Sequence, residues 1–503
     1  MKALLMHRDR DFNLQHPLPW NETALTQDLE MNTLFNAMAL GDEFVFSVVR
    51  SAVLTSMELD QQTIRYRQDI LRDCLKSPSF AREIYEIVLE TLESKKKSTW
   101  FIFSMKYPDS ILHTSLDVMA IYMTMLKKLR IYMTDNIGKL ESEGFRTLSA
   151  MLASELDEEY LARVEAHLKE LKFRNGTLIS ATLGKGGKGV RFLLRKSTEK
   201  RQPWYRLLFP RKKQAFTYFV NPRDVNGSKA LQELNGRGIN AVANSLAQSV
   251  DHIENFILNL KAEMAFYIGC LNLHEKLAAI GECVGFPEPA EQGRHRHHCK
   301  GLYDVCLSLT MNKKVIGNDL EATDKNLVII TGANQGGKST FLRSIGLAQL
   351  MMQCGMFVPA DSFSADICSS VITHYKREED TEMNSGKLDE ELSRMSEIAD
   401  NLKQDSMILF NESFAATNER EGSEIARQII TALTEKRLKV FFVTHLYEFA
   451  HDLCDRQTRE HLFLRAEREP DGTRTFRLSP GEPLQTSFGE DLYKRIFSNG
   501  DTA

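Results

Sequence analysis

Residues 332–339 read Gly-Ala-Asn-Gln-Gly-Gly-Lys-Ser, and they lie between an apolar run, Asn326–Thr331, and a helix-like run, Thr340–Leu350. A strand that breaks into glycines and restarts as a helix builds an anion nest. The glycines let successive backbone N–H groups turn inward, and the helix points its positive end at the same spot. In this frame Gly332, Ala333, Asn334, Gln335, Gly336, Gly337, Lys338, Ser339 and Thr340 are candidate nucleotide-binding residues. Lys338 is expected to reach the terminal phosphates and the Ser339 hydroxyl to ligate Mg²⁺.

A chain of 503 residues outgrows a single core, which rarely exceeds about 250–300 residues, so two or more domains are expected. The formal net charge of −4 leaves nucleic acid open as a partner, because a basic patch can be balanced elsewhere. The eight cysteines, Cys74, Cys270, Cys283, Cys299, Cys306, Cys354, Cys368 and Cys454, include no C-x-x-C pair and read as reduced thiols. Met1–Met6 is short for a signal sequence and runs into charge at Arg8. No stretch approaches the roughly 18 apolar residues of a membrane span. The expectation is a cytoplasmic protein with no membrane contact.

The fold class expected is multidomain, α followed by α/β. Residues 1–111 read as helical, with stripes around Leu29–Ala39 and Phe44–Val53 and with Asp42 as a cap between them. Residues 112–285 contain two segments that outrun ordinary helices, Leu112–Leu171 and Ile239–Ile280. Between these lies a strand-rich insertion at about 176–222, with strand-like runs Val190–Arg195 and Phe216–Val220 and the glycine-punctuated turn Gly184–Gly189. From Lys185 to Lys213 it carries eleven Lys or Arg against one acid, Glu199, with Phe192, Trp204, Tyr205 and Phe209 interleaved. That pattern suits a phosphate backbone, and equally a solvated hairpin face. Residues 286–503 have the rhythm of a phosphate-loop domain, with strands at Leu327–Ile330, Ser406–Phe410 and Val440–Val443 and helices at Lys387–Leu402 and Glu421–Lys436.

A phosphate loop needs acid at the tip of a partner strand, and Met407–Phe410 ends in Asn411-Glu412. Glu412 is the candidate general base, able to deprotonate the water that attacks a γ-phosphate. Asn411 stands where Asp would carry charge toward a Mg²⁺-bound water, which predicts weaker Mg²⁺ binding or slow turnover. The strand Lys439–Thr444 delivers His445, a candidate hydrogen-bond donor to the γ-phosphate. His295, His297, His298 and Cys299 crowd five residues, too close for all four to face one metal ion.

Taken together, Ile330–Thr340, Phe357–Ala360, Asn411-Glu412 and Val443–His445 resemble the ATPase domain of the MutS DNA mismatch-repair family. Gly293–His295 upstream and Ser487–Gly489 downstream extend the likeness, and Tyr66–Leu71 and Asn255–Met264 resemble the family's core and lever helices. The resemblance implies an ABC-type ATPase that binds ATP and Mg²⁺ and works as a homodimer. Each nucleotide is then completed by a serine from the other subunit, here Ser385, for which capping of the following helix is the structural alternative. It also implies DNA, duplex or branched, as partner. The basic insertion then occupies the position of a DNA-gripping clamp, with Lys185, Lys188, Arg191, Arg195, Arg211 and Lys212 as candidate contacts.

Departures from the family pattern shape the rest of the expectation. Ser413–Asn418 lies where the family has a glycine-bearing dimer loop, and Val315 and Ile316 lie where an aromatic usually stacks on adenine. With the helical core starting early there is no room for a mismatch wedge, so standard mismatch recognition is not expected. Two functions follow. One is an ATP-gated DNA clamp in repair or recombination; the other is a slow ATPase switch acting on RNA, ribosomes or a protein partner.

Overall fold

The computed structural model of the chain describes residues 1–99, 107–173, 176–196, 217–293, 295–377, 386–456, 458–469 and 473–485. Two compact units emerge, each discontinuous in sequence. One comprises Met1–Ala3, Glu83–Lys139 and Arg146–Lys261; the other comprises Leu4–Arg82, Leu140–Phe145 and Ala262–Ala503.

In the second unit the apolar runs of the C-terminal half become a six-stranded sheet. Its order is Arg474–Pro480, His461–Arg468, Leu327–Gly332, Lys439–Val443, Met407–Asn411 and Val371–Tyr375. Five strands are parallel, and Arg474–Pro480 pairs antiparallel at one edge. Lys439–Val443 and Val371–Tyr375 are buried along their whole length, as expected of parallel strands covered on both faces. On one face Ile329, Phe410 and Phe442 meet Ala426 and Ile430 of helix Glu419–Glu435 and Phe449 of helix Tyr447–Asp455. Against the other lies helix Lys338–Cys354, whose Gly346 admits Leu409 and Leu29; a Cβ there would sit 2.7 Å from the Leu409 side chain. A four-stranded sheet, ordered Glu288–Ala290, Ser362–Asp366, His297–Leu302 and Asn318–Glu321, completes the α/β part.

The same unit holds the helices Met31–Ala39, Glu43–Leu54 and Gln61–Lys76; Asp42 caps the second as expected, and Asp60 caps the third. The chain before them is held just as firmly. Glu263, fully buried, accepts from the backbone N–H groups of Leu5, Met6 and Phe12. Tyr66 and Tyr267 donate to the carbonyls of Leu4 and Leu5, and Arg67 Nε donates to that of Met6 at 2.8 Å. Burial pushes the Glu263 carboxyl up, to about 7, against the pull of those N–H groups.

The first unit corrects two helical expectations. The segment Leu112–Leu171 is three helices, Pro108–Asn136, Glu143–Glu155 and Glu158–Leu171. A short 3₁₀ turn containing Gly138 ends the first, and Asp157 starts the last by accepting from Tyr160 N at 2.6 Å. The segment Ile239–Ile280 instead extends upstream, into a single helix Val225–Ile280 started by Asp224, which accepts from Gly227 N at 2.9 Å. Within it Gly238 serves close approach: a Cβ there would lie 2.4 Å from Ile179 of the strand Leu178–Leu183.

One 18-residue window of that long helix is apolar enough to cross a membrane, contrary to the expectation that no stretch would be. Most of it, 83%, is buried inside the protein, because the helix lends its apolar side to packing. The insertion forms an antiparallel hairpin, Leu178–Leu183 with Gly189–Arg195. The strand expected at Phe216–Val220 is not seen: residues 217–220 have no regular secondary structure, Tyr218 and Phe219 are strongly exposed, and Phe216 lies outside the described residues.

Candidate functional site

Three parallel strands end in line at one edge of the six-stranded sheet. Val443 pairs with Ile330 on one side and with Asn411 on the other. Beyond that rung Thr444 N donates to Ile330 O at 3.1 Å and Glu412 N to Val443 O at 2.8 Å. Gly332, Glu412 and His445 therefore leave the sheet together, the usual place for ligands in open α/β sheets.

The loop Gly332–Gly337 is shaped by its glycines where the backbone demands it. Gly332 adopts φ 106°, and a Cβ there would lie 2.8 Å from Ala466 N; a Cβ on Gly336 would press on Ala333 O at 2.8 Å. Gly337, at φ 88°, turns the chain into helix Lys338–Cys354, whose first N–H groups face the loop. Lys338 curls back, Nζ donating to the carbonyls of Gly332 and Ala333, both at 3.0 Å. Its side chain is buried, and that burial pulls its pKa down to about 8, with the Glu412 charge opposing. Ser339 Oγ donates to Asn411 Oδ1 at 2.9 Å. Glu412 and His445 face each other, Oε1 to Nε2 at 2.7 Å, and this hydrogen bond holds the Glu412 carboxyl below the usual carboxylate range despite partial burial.

Beside the loop opens a cleft of about 520 Å³, lined among others by Val315, Ile316, Gln335, Gly337, Thr340 and Phe476. Glu282 fixes one wall by accepting from Val315 N at 2.8 Å and Ser308 Oγ at 2.9 Å. Arg474 Nε donates to Asn334 O at 3.1 Å and braces the loop from the edge strand. The donor set fits a nucleotide with Mg²⁺: inward N–H groups and a lysine for phosphates, a cleft for the nucleoside, and two hard neutral oxygens, Ser339 Oγ and Asn411 Oδ1, beside a carboxylate.

Several candidates fall elsewhere. Lys185, Lys188, Arg191 and Arg195 are exposed on the hairpin, with Arg195 Nε bonded to Ser180 Oγ at 2.9 Å. Arg211, Lys212, Ser385 and Ser487–Gly489 lie outside the described residues. The histidine cluster is split by strand alternation. His297 is buried against Phe363 and Phe441, whereas His298 Nδ1 pairs with Glu321 at 2.8 Å. The His295 carbonyl accepts from Lys439 Nζ at 3.3 Å, at the start of the strand whose far end reaches the phosphate loop, so His295 is placed structurally rather than beside a nucleotide.

Sequence alone does not single out Phe476, Arg474 or Glu282. The one available hint is an aromatic, Phe476, in the C-terminal strand; nothing local marks Glu282 as a support for Val315.

Residues 59–280 match the family model of the MutS2 N-terminal domain, and residues 328–492 that of MutS domain V. Among curated relatives, the chain is 37% identical over 137 residues to an "Endonuclease MutS2" of Lacticaseibacillus casei, a match to 27% of this chain and 17% of that protein. It is 36% identical over 132 residues to a "DNA mismatch repair protein MutS" of Clostridium botulinum, 26% of this chain and 14% of the relative. It is 32% identical over 152 residues to "MutS protein homolog 4" of Mus musculus, 30% and 16% respectively. The matched stretch thus spans no more than 17% of any of these three relatives.

Proposed function

Because the chain belongs to the MutS family, we propose that it is an ATPase whose nucleotide cycle gates its hold on DNA in repair or recombination. The observation that carries this reading is the convergence of Lys338, the Ser339–Asn411 pair and the Glu412–His445 pair on one sheet edge. Loop N–H groups and Lys338 hold the phosphates; Ser339, and Asn411 through a water, would hold Mg²⁺, which would supply charge to offset that of the transferring group. Glu412, kept ionised by His445, takes the proton of the attacking water; His445 orients it. Phe476, across the cleft from Val315 and Ile316, offers the aromatic face for adenine.

In this reading residues 1–111 and 112–285 act as core and lever, residues 286–503 as the ATPase, and two copies pair with Ser385 reaching the partner's nucleotide. The hairpin, with Lys185 and Lys188 in its turn and Arg191 and Arg195 along its second strand, grips the DNA backbone. Its test is duplex affinity measured against salt with a non-hydrolysable ATP analogue. Reversing those four charges should flatten the log–log salt slope by about 0.9 for every DNA phosphate they neutralise. No duplex binding at low salt, with or without nucleotide, would remove the clamp.

Asn411 supports a second reading, a slow switch on RNA, ribosomes or a protein partner, because an amide brings no charge to the metal. Asn411→Asp should then speed hydrolysis; an equal rate counts against slow turnover by design.

A further inference from the structure

We infer that His374, Ser413 and Glu391 form a buried latch tying the helix Lys387–Asn401 to the loop that carries Glu412, and that they are positioning residues for the hydrolysis proposed above. None of the three side chains reaches the nucleotide site, and all are almost completely shielded, at 0%, 0% and 4% exposure. Such burial of polar groups in an aromatic cluster is costly unless hydrogen bonds offset it; those here do so for all but Glu391 Oε2, which is buried without a partner among the described residues.

The bonds are these. His374 Nε2 lies 3.0 Å from the Glu391 carbonyl, which can only accept, so Nε2 carries the ring proton. Burial keeps this imidazole neutral, lowering its pKa to about 4, which leaves Nδ1 as an acceptor 2.7 Å from Ser413 Oγ. The same hydroxyl is 2.6 Å from the His374 carbonyl. Whichever acceptor takes its single proton, the Ser413 hydroxyl is held by residue 374. The His374 ring also stacks on Phe414, centroids 5.3 Å apart at 20°, and the Phe414 N–H donates to the Glu391 carboxylate. Lys376 N donates to Asn411 O at 2.9 Å, closing the strand pair on the other side.

The loop needs this grip. Glu412 and Phe414 flank Ser413 with φ of 54° and 63°, a left-handed conformation that non-glycine residues keep only when their surroundings over-determine it. Gly422 makes room for the kink, since a Cβ there would lie 2.4 Å from Phe414 O. A shift of helix Lys387–Asn401 that breaks the Glu391 bonds frees both residues after Glu412, and the carboxylate loses its fixed aim. Helix movement and hydrolytic competence are thereby the same event.

The experiment pairs Ser413→Ala with Glu391→Gln, in the full chain. Ser413→Ala should lower kcat for ATP about tenfold while KM and the affinity for a fluorescent ADP stay within about twofold. In nucleotide-free protein, amide hydrogen exchange across residues 411–416 should speed up about tenfold in Ser413→Ala and severalfold in Glu391→Gln, with the phosphate loop unchanged. Unaltered exchange at 411–416 in both variants overturns the latch. Faster exchange with unaltered kcat overturns the positioning role, as does a loss of ADP affinity that tracks kcat. A wild-type protein that fails to hydrolyse ATP would sink the ATPase reading and the positioning role with it, while the exchange measurement still decides the latch.

Discussion

The phosphate loop Gly332–Ser339 and the hairpin turn Gly184–Gly189 are both glycine-punctuated, lysine-bearing turns between regular elements, and they differ in what surrounds the lysine. Lys338 is 5% exposed and folded onto loop carbonyls; Lys185 and Lys188 stand in solvent. The glycines differ too. Gly186 and Gly187 have positive φ and open space around them, so they serve conformation alone, whereas Gly332 and Gly336 are crowded by Ala466. What fits one turn for the phosphate role proposed above is the neighbouring strand His461–Arg468 on one side and the helix N-terminus on the other. Without that frame the same residue types make only a charged surface.

Lys338→Met should break the contrast most severely, cutting ATP hydrolysis by about 10²–10³, as loss of a preorganised charge at a transferring group does; steady-state phosphate release measures it. Retention of most activity would put the lysine of this loop on a par with those of the hairpin. Next, Gly336→Ala should cost about 1–3 kcal/mol through overpacking against Ala466 and Ala333, whereas Gly186→Ala meets only its positive φ and should cost about 1 kcal/mol. Thermal denaturation of the two variants compares them, and equal losses would mean that the phosphate loop can relax as freely as the hairpin. Smallest is a pH effect. In the nucleotide-free protein Lys338 has its pKa pulled down to about 8 by burial, and bound phosphates raise it, so nucleotide binding takes up a proton above that pH. Raising the pH from about 7.5 to about 8.5 should therefore weaken nucleotide affinity about threefold. A flat profile in titration calorimetry would mean that Lys338 is already fully charged before nucleotide arrives.

The phosphate loop, the strands ending in Asn411-Glu412 and His445, and the cap Asp42 are all legible in the sequence, because each depends on residues adjacent in the chain. Less legible is anything decided by distant partners. The space that Ile179 needs at Gly238 shows only in the fold, and Leu112–Leu171 looks unbroken until Asp157 is seen capping a new helix. The cleft beside the loop takes Val315 from 17 residues before Gly332 and Phe476 from far beyond it, a pairing that no local pattern announces. Grouping of Leu4–Arg82 with Ala262–Ala503 is likewise a property of the folded chain, not of its order.

The stitched segment Leu4–Phe12 has a practical consequence. Its backbone N–H groups are the partners of a carboxylate shut away from water on the helix Val225–Ile280, so these residues are a keystone of the fold. Trimming the protein back to residue 13 would strand Glu263 in the interior without those donors. An expression design that spares the whole first dozen residues is the one to carry forward into biochemistry.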